Sequence, residues 1–128
     1  MSYYFNTIID MDFEDTVARV TEELKKEGFG ILTEIDVRDT LKKKLDVEFR
    51  KYKILGACNP PFAYKALSNE RMIGAMLPCN VIVQEADDGK TEVAAVDPVA
   101  SMMAVENSSL ECVAKEVRDK LRNVIDSL

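Results

Sequence analysis

Two cysteine–asparagine pairs, each beside a proline, are the residues of this sequence best suited to carry chemistry. Cys58 and Asn59 lie in the segment GACNPPFAYKAL, and Cys79 and Asn80 lie in LPCN. A cysteine thiolate is both a nucleophile and a ligand for soft metals. If Cys58 and Cys79 meet in space, they would form a redox pair or part of a soft-metal site. Both are therefore candidate metal ligands.

The residues after Cys58 predict the start of a helix. Asparagine is among the best N-cap residues, and proline is favoured at the first helical position, so Asn59 is the expected cap and Pro60 the expected first residue. Cys58 would lie just outside the helix N-terminus, where the positive end of the dipole can lower a thiol pKa. Tyr64 and Lys65 would follow near the mouth of a pocket. The candidate ligand-binding residues are Cys58, Asn59, Pro60, Tyr64, Cys79 and Asn80.

Simple packing is the competing interpretation for the cysteines. Cys58 follows the small residues of the GA step and can be a buried gap-filler, while Cys79 shares a strand face with Val81 and Val83. A tetrahedral zinc site needs four ligands, so two cysteines alone fall short. Cys112 lies on the polar side of the last predicted helix and is expected to be an exposed thiol. The sequence leaves burial and reactivity of Cys58 and Cys79 open.

Composition excludes several classes of function. The chain of 128 residues contains no histidine, which removes Ser-His-Asp catalysis, Cys-His catalysis and imidazole metal ligands. A net charge of −6 argues against nucleic acid as a partner, since phosphate binding needs a basic surface. We find no apolar run long enough for a membrane span and no secretory signal, so we expect a cytoplasmic protein. The chain has three cysteines, an odd number, so we do not expect a disulfide framework.

Apolar periodicity and capping residues predict the elements that position these groups. Two long amphipathic helices are expected, over 12–27 and 107–127, the second with Asn107 or Ser108 as its cap. Residues 72–77 are ambiguous and are expected to be extended, with a strand edge or bulge at Pro78. The remaining predicted elements are strands at 3–8, 29–35, 50–58, 79–85 and 91–96 and short helices after Asp36 and at 60–68.

Two long helices with one apolar stripe each need one sheet face to cover. The predicted fold is therefore an α+β two-layer sandwich in a single domain, residues 1–128, with an antiparallel-rich sheet and both long helices on one face. The other face would be solvated or covered by a partner. Its mixed composition in CNVIVQE leaves room for a homodimer.

The chain also resembles the domain of unknown function family 302. The resemblance rests on FEDTVARVTEELKKEGFGIL, KILGACNPPFAYKAL, IGAMLPCNVIVQE and the VDP that ends the hairpin, in that order. It implies a β-α-β(4)-α domain with a layout similar to half of the TATA-binding protein, and it suggests dimer formation. Asn59-Pro60 and Leu77-Pro78 match steps that members often keep. No activity, cofactor or catalytic residue comes with it.

Three functional hypotheses follow. The favoured one is a small ligand-binding or interaction module that forms a homodimer and binds a small molecule or metal. The second is a thiol-based redox or soft-metal protein that uses Cys58 and Cys79. The third is an enzyme with carboxylate or lysine chemistry near residues 58–65, which would need a pocket with at least two ionisable groups of perturbed pKa.

Overall fold

The computed structural model describes residues 2–128 as a five-stranded sheet with helices packed on it. Along the chain the elements are β1 (Tyr4–Ile9), α1 (Phe13–Lys26), β2 (Gly30–Asp36), α2 (Val37–Leu45), β3 (Tyr52–Cys58), α3 (Pro60–Asn69), β4 (Cys79–Glu85), β5 (Thr91–Val96), α4 (Pro98–Ser101) and α5 (Glu111–Asp126). No helix among these residues is long and apolar enough to cross a bilayer.

The sheet has the strand order β1-β5-β4-β3-β2, and every neighbouring pair is antiparallel. Ala57 of β3 pairs with Cys79 of β4, so the end of β3 lies beside the start of β4. The register of β2 against β3 shifts between Ile31 and Thr33, which is a bulge in an edge strand. Cys58 and Cys79 therefore lie at the same end of the sheet.

Both long helices lie on one face of the sheet. Asp12 caps α1 by accepting a hydrogen bond from the N–H of Asp15 at 2.8 Å, as carboxylate caps commonly do. The buried stripe of each helix packs on alternate residues of the central strands, which places the core between the two layers. Fully buried members of that core are Val20, Leu24, Leu55, Val81, Val83, Val93 and Leu121. The predicted α+β fold is thus confirmed.

The structure departs from the local predictions at four points. Residues 73–76 form a 3₁₀ turn where an extended segment was expected. A strand edge or bulge was expected at Pro78; Pro78 directly precedes β4, whose pairing with β3 has no register shift, and the bulge of the sheet lies in β2. Asp97 ends β5 as predicted but also caps the unpredicted α4, because its Oδ1 accepts from the N–H of Val99. Of the two predicted caps, Asn107 rather than Ser108 accepts the capping hydrogen bond, from the N–H of Ser109. Asn107 caps a 3₁₀ turn at Ser108–Leu110, and α5 begins at Glu111.

Candidate functional site: an apolar cavity at one end of the sheet

A cavity of about 310 Å³ lies between α3, α5 and the end of the sheet where β3 meets β4. Its size is at the lower end of the range for small-molecule sites. Of the described residues that line it, Asn59 alone carries an amide, hydroxyl or charged side chain. The lining residues are Phe29, Leu32, Ala57, Cys58, Asn59, Phe62, Ala63, Ala66, Leu67, Gly74, Leu77, Pro78, Cys79, Pro98, Met102, Leu110, Val113, Ala114 and Val117.

The cavity exists because two apolar clusters leave a gap between them. The main core ends at Ala57 and Cys79, and a smaller cluster forms around Ala66, Ile73 and Leu110. Small side chains on α3 and α5 line the space between these clusters and cannot fill it. The alanines of α3 and α5 that line this space therefore account for the position of the cavity.

Asn59 has a different role from the predicted one. Its backbone is extended, as an N-cap requires, but its side chain makes no capping hydrogen bond to α3. Instead its Nδ2 donates to the backbone carbonyl of Glu27 at 3.2 Å. Glu27 is the C-cap residue of α1, so Asn59 connects the end of α1 to the beginning of α3 at one wall of the cavity. Pro60 is the first residue of α3, as predicted.

Cys58 and Cys79 line the same cavity as free thiols. Cys79 is buried, and Cys58 is half-buried at the end of β3. Burial, together with a smaller effect of the neighbouring Cys58, raises the pKa of the Cys79 thiol to about 11. Cys79 is consequently a neutral thiol at physiological pH and a poor nucleophile.

The raised pKa of Cys79 predicts a pH-dependent stability. The neutral thiol is favoured in the folded state, so its contribution is fully present below the unfolded pKa of 9.0 and is lost as pH rises through about 11. We expect the difference in free energy of unfolding between the wild type and Cys79→Ala to shrink by about 2 kcal/mol over that range. Urea titrations of both proteins at several pH values would measure it. A difference that stays constant with pH would contradict the burial of this thiol.

The other predicted ligand-binding residues lie outside the cavity lining. Pro60 and Tyr64 are on the exposed side of α3, and Tyr64 is 75% exposed. Asn80 points to the opposite face of the sheet from Cys79, because successive residues of a strand alternate. The structure thus brings together Cys58, Asn59 and Cys79 and separates the remaining three residues from them.

Phe62, Lys65 and Lys120 are near the cavity, and of these three the sequence pointed only to Lys65, as a neighbour of Tyr64 near a pocket mouth. Phe62 lines it, and the ammonium groups of Lys65 and Lys120 lie 5.6 and 6.0 Å from the centre of its ring. Among residues 2–128 neither lysine forms an ion pair. Contacts between two helices that are distant in sequence leave no local pattern in the sequence. A phenylalanine on a short helix next to Asn59-Pro60 was an available local indication of this site.

The face of the sheet away from the helices carries a polar network. Glu92 accepts hydrogen bonds from Asn6 at 2.9 Å and from Gln84 at 3.0 Å, and Arg50 donates to Gln84 at 2.9 Å. Asn80 lies on this same face. The polar side chains of this face already hydrogen-bond to one another. The face is therefore less suited than the apolar cavity to bind a small molecule.

The described residues provide no complete metal site. Within 2–128 no group of three or more His, Cys, Asp or Glu side chains could hold a metal ion. Cys58 and Cys79 remain the two candidate metal ligands of the cavity, with no third donor of those types beside them.

The chain belongs to the family described as domain of unknown function DUF302, whose profile matches residues 5–128. The crystal structure of an uncharacterized conserved DUF302 protein from Bacillus stearothermophilus is similar, with 26% sequence identity, a TM-score of 0.90 and coverage of 98% of each chain. Comparison with curated proteins gives no match. Family and fold are therefore established, and function has to be argued from the site.

Proposed function

We propose that this protein binds a small, largely apolar molecule in the cavity between α3 and α5. The observation that carries the proposal is a partly open space of about 310 Å³ at one end of the sheet, whose lining is almost entirely apolar. Sites of this size and composition commonly bind small molecules, and a few polar groups then orient the ligand. Asn59 and the thiols of Cys58 and Cys79 are the groups available for that role.

The apolar lining disfavours the enzyme hypothesis. Carboxylate or lysine catalysis near residues 58–65 needs such groups around a bound substrate. Within the described part of the chain the lining contains no Asp, Glu, Lys or Arg. Binding without chemistry is the simpler function for such a surface.

Thiol chemistry is the second candidate because both cysteines line one cavity. A redox function would join the Cys58 and Cys79 sulfurs with loss of two hydrogens to an external disulfide. The raised pKa of Cys79 opposes this, since the thiolate is the reactive form. Peptide mass mapping after treatment with oxidised glutathione separates the candidates: a linked Cys58–Cys79 peptide supports thiol chemistry, and unlinked peptides remove it.

The homodimer and the cytoplasmic location stay predictions. The open sheet face exposes Tyr4, Ile8 and Ile35, which are 42%, 56% and 47% exposed. A second copy could cover these side chains, and sedimentation equilibrium would reveal it as a concentration-dependent doubling of mass. A monomer throughout the micromolar range would remove the dimer and leave the cavity proposal unaffected.

Binding of a neutral apolar fluorophore tests the proposed function. N-phenyl-1-naphthylamine fluoresces when it leaves water, and its naphthalene ring fits the cavity while the phenyl ring remains at the open side. We expect saturable binding of one molecule per chain with a Kd on the order of 10 µM, from roughly 0.4 kcal/mol per non-hydrogen atom. Competition by 1-octanol should release it. Fluorescence that rises without saturation, or does not rise, would contradict the proposal.

A further inference from the structure

We infer that the ligand is a single-chain amphiphile with an anionic head group, which Lys65 and Lys120 bind. This inference rests on the proposed function and adds the chemical class of the ligand. It follows from the apolar lining together with the two lysines beside it. The chain of the amphiphile lies in the cavity, and its head group lies at Phe62.

The volume of the cavity limits the length of the ligand's alkyl chain. A cavity of about 310 Å³ holds about ten groups the size of a methylene, at the roughly 30 Å³ that a water-sized group occupies in a liquid. A chain of eight to ten carbons therefore fills it. Larger lipids with two chains exceed the space.

The two lysines set the charge of the head group. Lys65 of α3 and Lys120 of α5 flank Phe62 at 5.6 and 6.0 Å from its ring centre, and Phe62 lines the cavity. Among the described residues neither is neutralised by a carboxylate in an ion pair. Two free ammonium groups from different helices thus converge on one wall of an apolar site.

The overall acidity of the chain does not oppose an anionic ligand here. The net charge is −6, but salt screens charges beyond about 8 Å at physiological ionic strength, so the nearest groups dominate. The first turn of α3 adds to the attraction: no side chain caps it, and Phe62 is the first residue of α3 that has a backbone N–H. The two lysines and the start of α3 thus bring positive charge to this wall.

Calorimetric titration with four octyl compounds tests the inference. At neutral pH we expect octanoate to bind the wild type about tenfold more tightly than 1-octanol, and octylammonium to bind more weakly than either. Octyl sulfate, which carries the same charge on a different head group, should bind as tightly as octanoate. If octyl sulfate binds no more tightly than 1-octanol, the two lysines do not select an anionic head group and the inference is wrong.

Charge-removing variants assign the preference to the two lysines. In Lys65→Gln/Lys120→Gln the affinity for octanoate should fall about tenfold, while the affinity for 1-octanol stays within twofold. The matched control is Lys44→Gln/Lys90→Gln, which removes the same charge from two exposed residues outside the lining. It should leave both affinities unchanged.

The outcomes separate this inference from the proposed function. If octanol binds the wild type as tightly as octanoate, or the lysine variant retains its affinity for octanoate, the anionic head group is wrong and the apolar site stands. If octanoate, 1-octanol and the neutral fluorophore all fail to bind, both proposals fail.

Discussion

Ala114→Phe is expected to abolish most ligand binding while the protein stays folded. Ala114 is 6% exposed, lies on α5 and lines the cavity. A phenyl ring at this position projects into space that is otherwise empty and occupies a large part of it. We expect the affinity for the neutral fluorophore to fall by about 100-fold, equivalent to about 2.7 kcal/mol.

Stability distinguishes filling of the cavity from disruption of the core. A side chain that enters an existing space avoids the 1–3 kcal/mol that overpacking typically costs, so the urea midpoint should stay near that of the wild type (a change within roughly 1 kcal/mol). Ala18→Phe is the matched control, because Ala18 is exposed on α1 and outside the lining. Equal loss of binding in both variants would contradict the location of the site.

Gly56→Ala is expected to destabilise the protein by about 3 kcal/mol. A Cβ at Gly56 would lie 2.7 Å from Cγ of Pro78 and would also collide with the hydroxyl of Thr33. The hydroxyl can rotate away, but the ring of Pro78 precedes β4 directly and cannot move without the strand. Because Pro78 lines the cavity, this close approach also fixes the cavity edge.

Two further variants isolate that contact. Gly30→Ala changes a glycine of the neighbouring β2, where an added Cβ meets nothing within 4 Å, so it should cost about 0.5 kcal/mol or less. Thr33→Ala combined with Gly56→Ala should recover only part of the loss, since the collision with Pro78 persists. Chemical denaturation of the four proteins measures these effects. A cost at Gly56 equal to that at Gly30 would show that the strands are free to separate.

The fold was predictable because its signals are local and repeated. The apolar stripe of α5 and the Asp-Gly turn between β4 and β5 each depend on residues close in sequence, and both long helices formed within a few residues of their predicted ends. The two-layer arrangement then followed from the need to cover two apolar stripes with one sheet. Local patterns failed where a competing partner lay elsewhere in the chain.

Asn59 is the clearest example of such competition. Its type and its position before proline predicted a capping side chain, and the extended backbone agrees with that prediction. The end of α1 offers a carbonyl at Glu27, however, and the carboxamide donates to it instead. No pattern within NPP reports the position of a helix end more than thirty residues earlier.

The cavity could not be predicted from the sequence for the same reason. Its walls come from β2, β3, the start of β4 and the segment before it, α3, α4 and α5, and only their packing creates the empty space. The sequence did single out Cys58, Asn59 and Cys79, because cysteine and asparagine beside proline are conspicuous. It could not show that Phe62 and two lysines adjoin the same space.

Intermolecular NOEs between octanoate and the methyl groups of the protein test the central claim most directly. If the cavity is the binding site, the terminal methyl of octanoate will show NOEs to Val113 and Val117, which line it. The methylene next to the carboxylate will show NOEs to the Phe62 ring. NOEs to Ile82 and Ala94 on the open sheet face would contradict the account, and so would a complex without NOEs to the cavity.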